Sequence, residues 1–304
     1  MTIAFVFLGF ALGVILGSFA KAIADRSLSD KSFLGRSYCP ACKKGLKWYD
    51  LVPIISSLYL QGKCRYCHKK FGIEYLVVEV LMGLLIGFLF FQIHFSVGTA
   101  SPSDVLQFSI LIFELIFKTF FITVLAILFL TDLKTMLIPD RVIIPAIIFS
   151  FISLTVISIY KVWFLYYGLS AHSVGKFLLP GYSDYFVRHA VLISQPLWGG
   201  VATGLAIAGF FLALIIITRG KGMGGGDVKL GAFLGLGLGF PGGILATVLS
   251  FLIGAIFSLI AIILGRKKFG DHLPFGPFLV LGSLIALFWG EQIINWYLTF
   301  SLIS

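Results

Sequence analysis

The sequence predicts an all-α, polytopic membrane protein with about eight transmembrane helices and a small cytoplasmic loop domain between the first two. Three observations predict it. Of 304 residues, 59% are hydrophobic and 12% charged, with a mean hydropathy of +1.04; a water-soluble domain of this length has no interior large enough for so much apolar surface. The apolar residues come in runs of about 20, the length that crosses a hydrocarbon core of about 30 Å. Finally, 23 Lys and Arg stand against 13 Asp and Glu, a net +10, and they gather in alternate loops. That excess marks one side of a bilayer rather than a nucleic-acid surface.

The first apolar stretch, Ile3 to Ala20, has no basic residue before it and meets Lys21 and Arg26 after it. That order suits an anchor with its N-terminus outside, not a cleaved signal peptide. Hydropathy places spans at 3–22, 73–95, 106–131, 142–160, 197–218, 228–240, 242–265 and 274–300, the sixth short and rich in glycine. The chain then divides into a first helix (1–24), a cytoplasmic loop domain (25–72), a second helix with an outside loop (73–103) and a six-helix part (104–304). With the N-terminus outside, the inside loops 21–72, 132–141, 219–229 and 266–273 hold 19 of the 23 basic residues. Outside segments hold Lys161, Lys176 and Arg188, and Lys118 falls within a span. The positive-inside rule thus supports span count and orientation together. Pro180-Gly181 and Asp184 break 161–196 into an outside loop, whose Trp163, Tyr166 and Tyr167 favour the membrane interface. Glycines at every fourth position (Gly9, Gly13, Gly17 and Gly231, Gly235, Gly239) predict close helix–helix approach.

All four cysteines lie in the first inside loop, as Cys39-Pro40-Ala41-Cys42 and Cys64-Arg65-Tyr66-Cys67 with 21 residues between the pairs. Each pair offers two thiolates from one tight turn, the arrangement of a tetrahedral zinc ribbon. A reducing cytoplasm argues against disulfides, and Lys43, Lys44, Lys63 and Arg65 favour thiolate. Four protein ligands leave no open position, so the expected zinc is structural, supplying folding energy to a loop with little core of its own. His68, next to Cys67, is expected in solvent. The loop's basic surface is expected against anionic lipid headgroups rather than nucleic acid.

Two carboxylates stand at the inside ends of spans. Asp227 follows Gly224-Gly225-Gly226, and Asp132 ends Phe129-Leu130-Thr131-Asp132. An ionisable residue at the membrane edge reads as functional by default. Two carboxyl groups in one site cannot both ionise cheaply, so they would share a proton: one takes a proton from water while the other donates to a scissile carbonyl. The three glycines leave room for an extended substrate backbone and a sharp turn into the span. N-capping alone would account for Asp227. It does not account for Asp132, at a helix C-terminus where the dipole disfavours negative charge. Asp140, in Ile138-Pro139-Asp140, fits a cap better than catalysis. Lys134 and Lys229, each two residues past an aspartate, are expected to snorkel to headgroups.

Taken together, these residues resemble the bacterial type IV prepilin peptidases, membrane aspartyl proteases also called leader peptidase/N-methyltransferases. The stretches that carry the resemblance are Gly17-Ser18-Phe19, the two cysteine pairs, Asp50-Leu51-Val52-Pro53, Leu60-Gln61-Gly62-Lys63-Cys64-Arg65 and Glu79. They continue with Asp132, Ile138-Pro139-Asp140, Gly222-Met223-Gly224-Gly225-Gly226-Asp227-Val228-Lys229 and Pro274-Phe275-Gly276-Pro277-Phe278. The resemblance implies cleavage of the basic leader from prepilins or pseudopilins on the cytoplasmic side of the inner membrane, with Asp132 and Asp227 as the catalytic pair. It places Gly224, Gly225, Gly226, Asp140 and Lys229 about that site, and the peptidase in the last six spans. It also implies N-methylation of the new terminus from S-adenosylmethionine, associated with the four-cysteine loop; no glycine-rich methyl-donor motif is visible. The chain departs from the pattern at Ala20-Lys21, where a Leu-Asn-like pair is usual, and at Glu74, where an Arg is common. Two alternatives differ in kind: a peptidase whose zinc loop is purely structural, or a transporter in which the two aspartates relay ions.

Overall fold

The computed structural model describes residues 2–28, 33, 35, 37–39, 41–70, 72–97, 105–173, 175–220, 223–265 and 273–303. Nine α-helices appear among them: α1 (Thr2–Leu28), α2 (Ile55–Tyr59), α3 (Glu74–Val97), α4 (Val105–Thr135), α5 (Asp140–Ala171), α6 (Tyr185–Ile193), α7 (Gln195–Ile217), α8 (Gly225–Ile263) and α9 (Gly276–Ile303). Pairing between extended segments is limited, among the described residues, to two isolated bridges, Tyr38 with Gly45 and Lys63 with Lys70. In hydrocarbon every backbone polar group must be satisfied within its own segment, which is why long apolar runs become helices. Seven of the helices are long and apolar enough to cross a membrane.

The expected count of eight differs by one because α8 is a single 39-residue element broken in its middle. Pro241 has no N–H to donate and forces the residue before it out of helical geometry. Phe240 accordingly takes φ −90°, ψ 136°, and Gly239 takes φ 63°, ψ −170°. Counted as two arms, α8 covers the expected sixth and seventh spans. Gly239 is therefore a break residue and not part of a packing stripe: a side chain there would meet nothing within 4 Å. Two helix ends also differ from expectation. The first helix continues past 24 to Leu28. The fourth span continues through 161–171, because a lone Lys161 does not end a helix whose aromatic ladder keeps stacking, Trp163 on Tyr160 and Tyr167 with centroids 6.4 and 5.8 Å apart. The rest of that expected loop contains the short α6.

The chain forms two compact units, Met1–Pro102 with Glu114–Pro139 and Ser103–Phe113 with Asp140–Ser304. In the first, α1 packs on α3 through glycine. A Cβ at Gly13 would overlap the Met82 carbonyl, one at Gly9 would lie 2.5 Å from the Phe90 ring, and one at Gly17 would lie 2.9 Å from Met82. Gly83 answers from α3, facing Phe10 and Val14 at 2.8 Å. In the second unit α7 and α8 meet backbone to backbone, Gly235 against Gly204, with Gly231 under Ile207 and Phe211. Between lipid-facing helices there is no water to expel, so such contact relies on close van der Waals approach. Pro274-Phe275-Gly276-Pro277-Phe278 opens α9, with the Phe275 ring 4.9 Å from Phe251 and 6.1 Å from Phe211.

Candidate metal centre and carboxylate sites

The loop between α1 and α3 folds around its cysteines in two matching turns. Cys39 N–H donates to Lys44 O and Cys64 N–H to Lys69 O (3.0 and 2.9 Å); Lys43 N–H returns to Cys39 O and His68 N–H to Cys64 O (2.8 and 2.9 Å). Lys43 and His68 occupy the same left-handed position, at φ 56° and 55°. His68 is thus a turn residue, exposed and outside the thiol cluster, as expected. The four Sγ atoms lie within 4.8 Å of one another, and Cys39 Sγ is 3.8 Å from Cys67 Sγ. Zinc bonds to sulfur of about 2.3 Å in a tetrahedron require S···S edges of about 3.8 Å. The thiols fit a metal ion, and zinc is consistent with them. Burial pushes the Cys39 thiol up, but the Cys42 and Ala41 N–H groups outweigh it and bring it down to about 7. The Lys69 N–H pulls Cys67 down, yet burial and the neighbouring thiols raise it to about 11. Cys39 is thus primed to bind as thiolate at neutral pH. Pro40 lies outside the described residues.

Asp50 braces the second turn. Its carboxylate accepts from Arg65 Nε at 2.7 Å, Lys47 N–H at 3.2 Å and Tyr66 Oη at 3.4 Å. Burial would raise its carboxyl, but these donors, Arg65 foremost, hold it below the ordinary range. Glu79 performs a similar task deeper down. It is buried in α3 and accepts Ile54 N–H at 2.7 Å, with the Ser18 side chain as a second partner. Three separate sequence stretches, around Ser18, Pro53 and Glu79, therefore meet at one carboxylate.

A second cluster escaped sequence reasoning. Lys21 is 1% exposed and pairs with Asp25 at 2.9 Å and Glu74 at 3.1 Å. Lys134, on the last turn of α4, reaches the same two carboxylates at 3.2 Å each. Tyr75 Oη donates to Asp25 at 2.6 Å, and its ring lies under the Lys21 ammonium at 4.9 Å. The signal was present: Lys21 and Asp25 are four apart on a helix, and the departures at Lys21 and Glu74 carry opposite charges that meet. Lys134 is thus ion-paired, correcting its expected snorkelling; nearby acids offer more than headgroups at a helix end.

Asp132 lies in this unit, 5% exposed at the end of α4, while Leu133, Met136 and Leu137 on the same stretch are more than half exposed. Its neighbour Thr131 is fully buried and donates to Ile127 O and Leu128 O at 3.0 Å. Asp227 lies in the other unit, half-buried in the first turn of α8, where Gly224 N–H donates to its carboxylate at 3.2 Å. That contact is the N3 half of a capping box with Gly224 as the N-cap, so Asp227 supports the helix start without being the N-cap itself. A side chain at Gly224 or Gly225 would meet nothing nearer than 4.0 Å, so the approach to the turn is open. Gly226 continues the helix start; Gly222 lies outside the described residues. Asp140 opens α5, and Lys229 Nζ lies 2.5 Å from its Oδ1. Lys229 is therefore also paired rather than snorkelled, joining the start of α5 to the start of α8. With side chains 58% and 40% exposed, that pair contributes no more than about 1 kcal/mol.

Glycine-packed helices of membrane-spanning length and a thiol cluster that fits a metal ion define an integral membrane protein with a metal-competent loop. The chain belongs to the type IV leader peptidase family. The family model of that description matches residues 119–259, and the Bacterial Peptidase A24 N-terminal domain matches residues 11–93. The prepilin leader peptidase/N-methyltransferase of Bacillus subtilis (strain 168) is 31% identical over 296 residues, 96% of this chain and 98% of that protein. The protein of the same name from Legionella pneumophila is 32% identical over 266 residues, 88% and 76% of the two chains. That from Stutzerimonas stutzeri is 27% identical over 323 residues, 98% and 96%. No solved structure matches the chain significantly. Membership makes this protein a peptidase and a methyltransferase.

Proposed function

We propose that this protein removes the leader from type IV prepilins or pseudopilins at the cytoplasmic face of the membrane and then methylates the new amino terminus. Asp132 and Asp227 are the catalytic carboxylates. The ionised one takes a proton from water, and the water oxygen attacks the scissile carbonyl. The protonated one donates to the carbonyl oxygen, and the proton gained by the first passes to the leaving amine. Gly224, Gly225 and Gly226 leave space for an extended substrate beside Asp227, and the Asp140–Lys229 pair steadies that turn. Residues 104–304 hold the peptidase.

The observation that carries the reading is that one family model, residues 119–259, spans both aspartates, each at the end of a span-length helix. The N-terminus is outside, and the lysine- and arginine-rich loops, including the cysteine loop, are inside. Zinc on Cys39, Cys42, Cys64 and Cys67 is structural: four thiolates close its coordination, and its binding energy folds the loop. S-adenosylmethionine supplies the methyl group, by analogy with the family, and residues 25–72 serve that step. The other partners are membrane lipids, not nucleic acid.

The test is to incubate purified protein with a prepilin and S-adenosylmethionine and to read the product N-terminus by mass spectrometry. Loss of the leader with a gain of one methyl mass is expected. An intact leader would overturn the peptidase reading, and a cut but unmethylated terminus would overturn the second activity.

A further inference from the structure

The loop helix α2 is amphipathic the wrong way round for a soluble fold. Its apolar residues Ile55, Leu58 and Tyr59 fall at i, i+3 and i+4, on one face, and are 68%, 63% and 78% exposed. Ser56 and Ser57, on the other side, are half-buried. Trp48 extends the exposed set at 79%. Water would penalise this face and reward the opposite one.

The position of α2 is held from below. Ile54, the residue before it, donates its N–H to Glu79, the sixth residue of α3. Five residues at 1.5 Å place that contact about 7.5 Å along α3 from its start. The contact fixes the start of α2 beside the second turn of a helix long and apolar enough to cross a membrane, and interfacial helices lie about 5 to 10 Å into the headgroup–acyl boundary. Ile54 is kept there in a tight turn, at φ 61° and ψ −57°, with Ile55 N–H on Pro53 O at 2.6 Å. The described residues between α1 and α3 are mostly basic in charge. Lys43, Lys44, Lys47, Lys69 and Lys70 are exposed, and Asp50, the single acid among the described residues between α1 and α3, is already held by Arg65.

We propose that α2 and Trp48 form an interfacial anchor, with the apolar face sunk in the acyl boundary of an anionic leaflet and the lysines at its headgroups. The occupant of this surface is the phospholipid of the membrane that the spans already cross. The loop is tethered at both ends to span-length helices, and its charge is complementary. The cysteine domain is thereby laid on the bilayer and does not hang free in solution.

The test uses full-length protein reconstituted in vesicles with about 30% anionic lipid and acyl chains brominated at defined depths. The Trp48 signal is wild-type emission minus that of Trp48→Phe. Bromines near the headgroup end of the chain should quench it about twofold, and those near the chain end less. The Ile55→Ser/Leu58→Ser double variant should lose the effect while retaining its metal. If Trp48→Phe does not fold, Tyr59→Trp replaces it, with the gain over wild type read instead. A signal unquenched at every depth overturns the anchor. Quenching that appears only after prepilin is added also overturns it, and assigns the face to the substrate.

Discussion

Asp50 sits outside the thiol cluster yet contacts both residues between Cys64 and Cys67, so its effect on metal binding should be indirect and measurable. Removing a carboxylate that orients a ligand turn weakens metal affinity about tenfold; chelator competition with Asp50→Asn should read that loss. The pH dependence follows from the sign of each shift. Because the Asp50 carboxyl is held below its usual range, its contribution is complete above about pH 4 and is lost only as pH falls through the lower folded value. The Cys39 thiol, at about 7, protonates as pH drops from about 7 to about 5. Wild type and Asp50→Asn should therefore lose affinity in parallel over that window, with a constant gap between them. Lys21 makes a second residue-scale case. Lys21→Met strips a buried cation from two carboxylates and should lower stability by about 2 kcal/mol, read by thermal unfolding in detergent. The cysteine cluster was legible in the sequence because spacing alone specifies two matching turns. Lys21 was not, since charge counting assigns it to a loop and only three-dimensional packing reveals Asp25, Glu74 and Lys134 around it.

At the level of elements, glycine separates packing from propensity. Gly235 touches the Gly204 backbone, which cannot rotate out of the way as a side chain can. Gly235→Ala should cost about 1–3 kcal/mol or more through forced separation of α7 and α8. Gly209, in the same α7, has open space where a methyl group would stand, with no atom within 4 Å, and Gly209→Ala should stabilise the helix by about 0.5–1 kcal/mol. Paired unfolding measurements check both signs, and equal effects would refute the packing account. A period of four glycines signals close approach, and five of the six predicted glycines behave so. Gly239 does not, because the Pro241 two residues later outranks the stripe and turns the segment into a break. The extension of α5 was illegible for the converse reason: hydropathy falls after 160, but nothing in 161–171 breaks a helix.

For the whole molecule, charge alternation and apolar run length are enough to derive a multi-span bundle, because lipid permits so few alternatives. Division into two compact units was not derivable in that way. Asp132 belongs to the first and Asp227 to the second. Neither acid can be assigned a catalytic role from hydropathy; only motif order across the chain and the family match argue for it. The most direct measurement is single-turnover cleavage of prepilin by Asp132→Asn and Asp227→Asn, each reconstituted with metal content and unfolding midpoint matched to wild type. The account predicts that both leave the leader intact, since a lone carboxyl cannot act as base and acid in the same step. Leader release by either variant at a rate near wild type would contradict it.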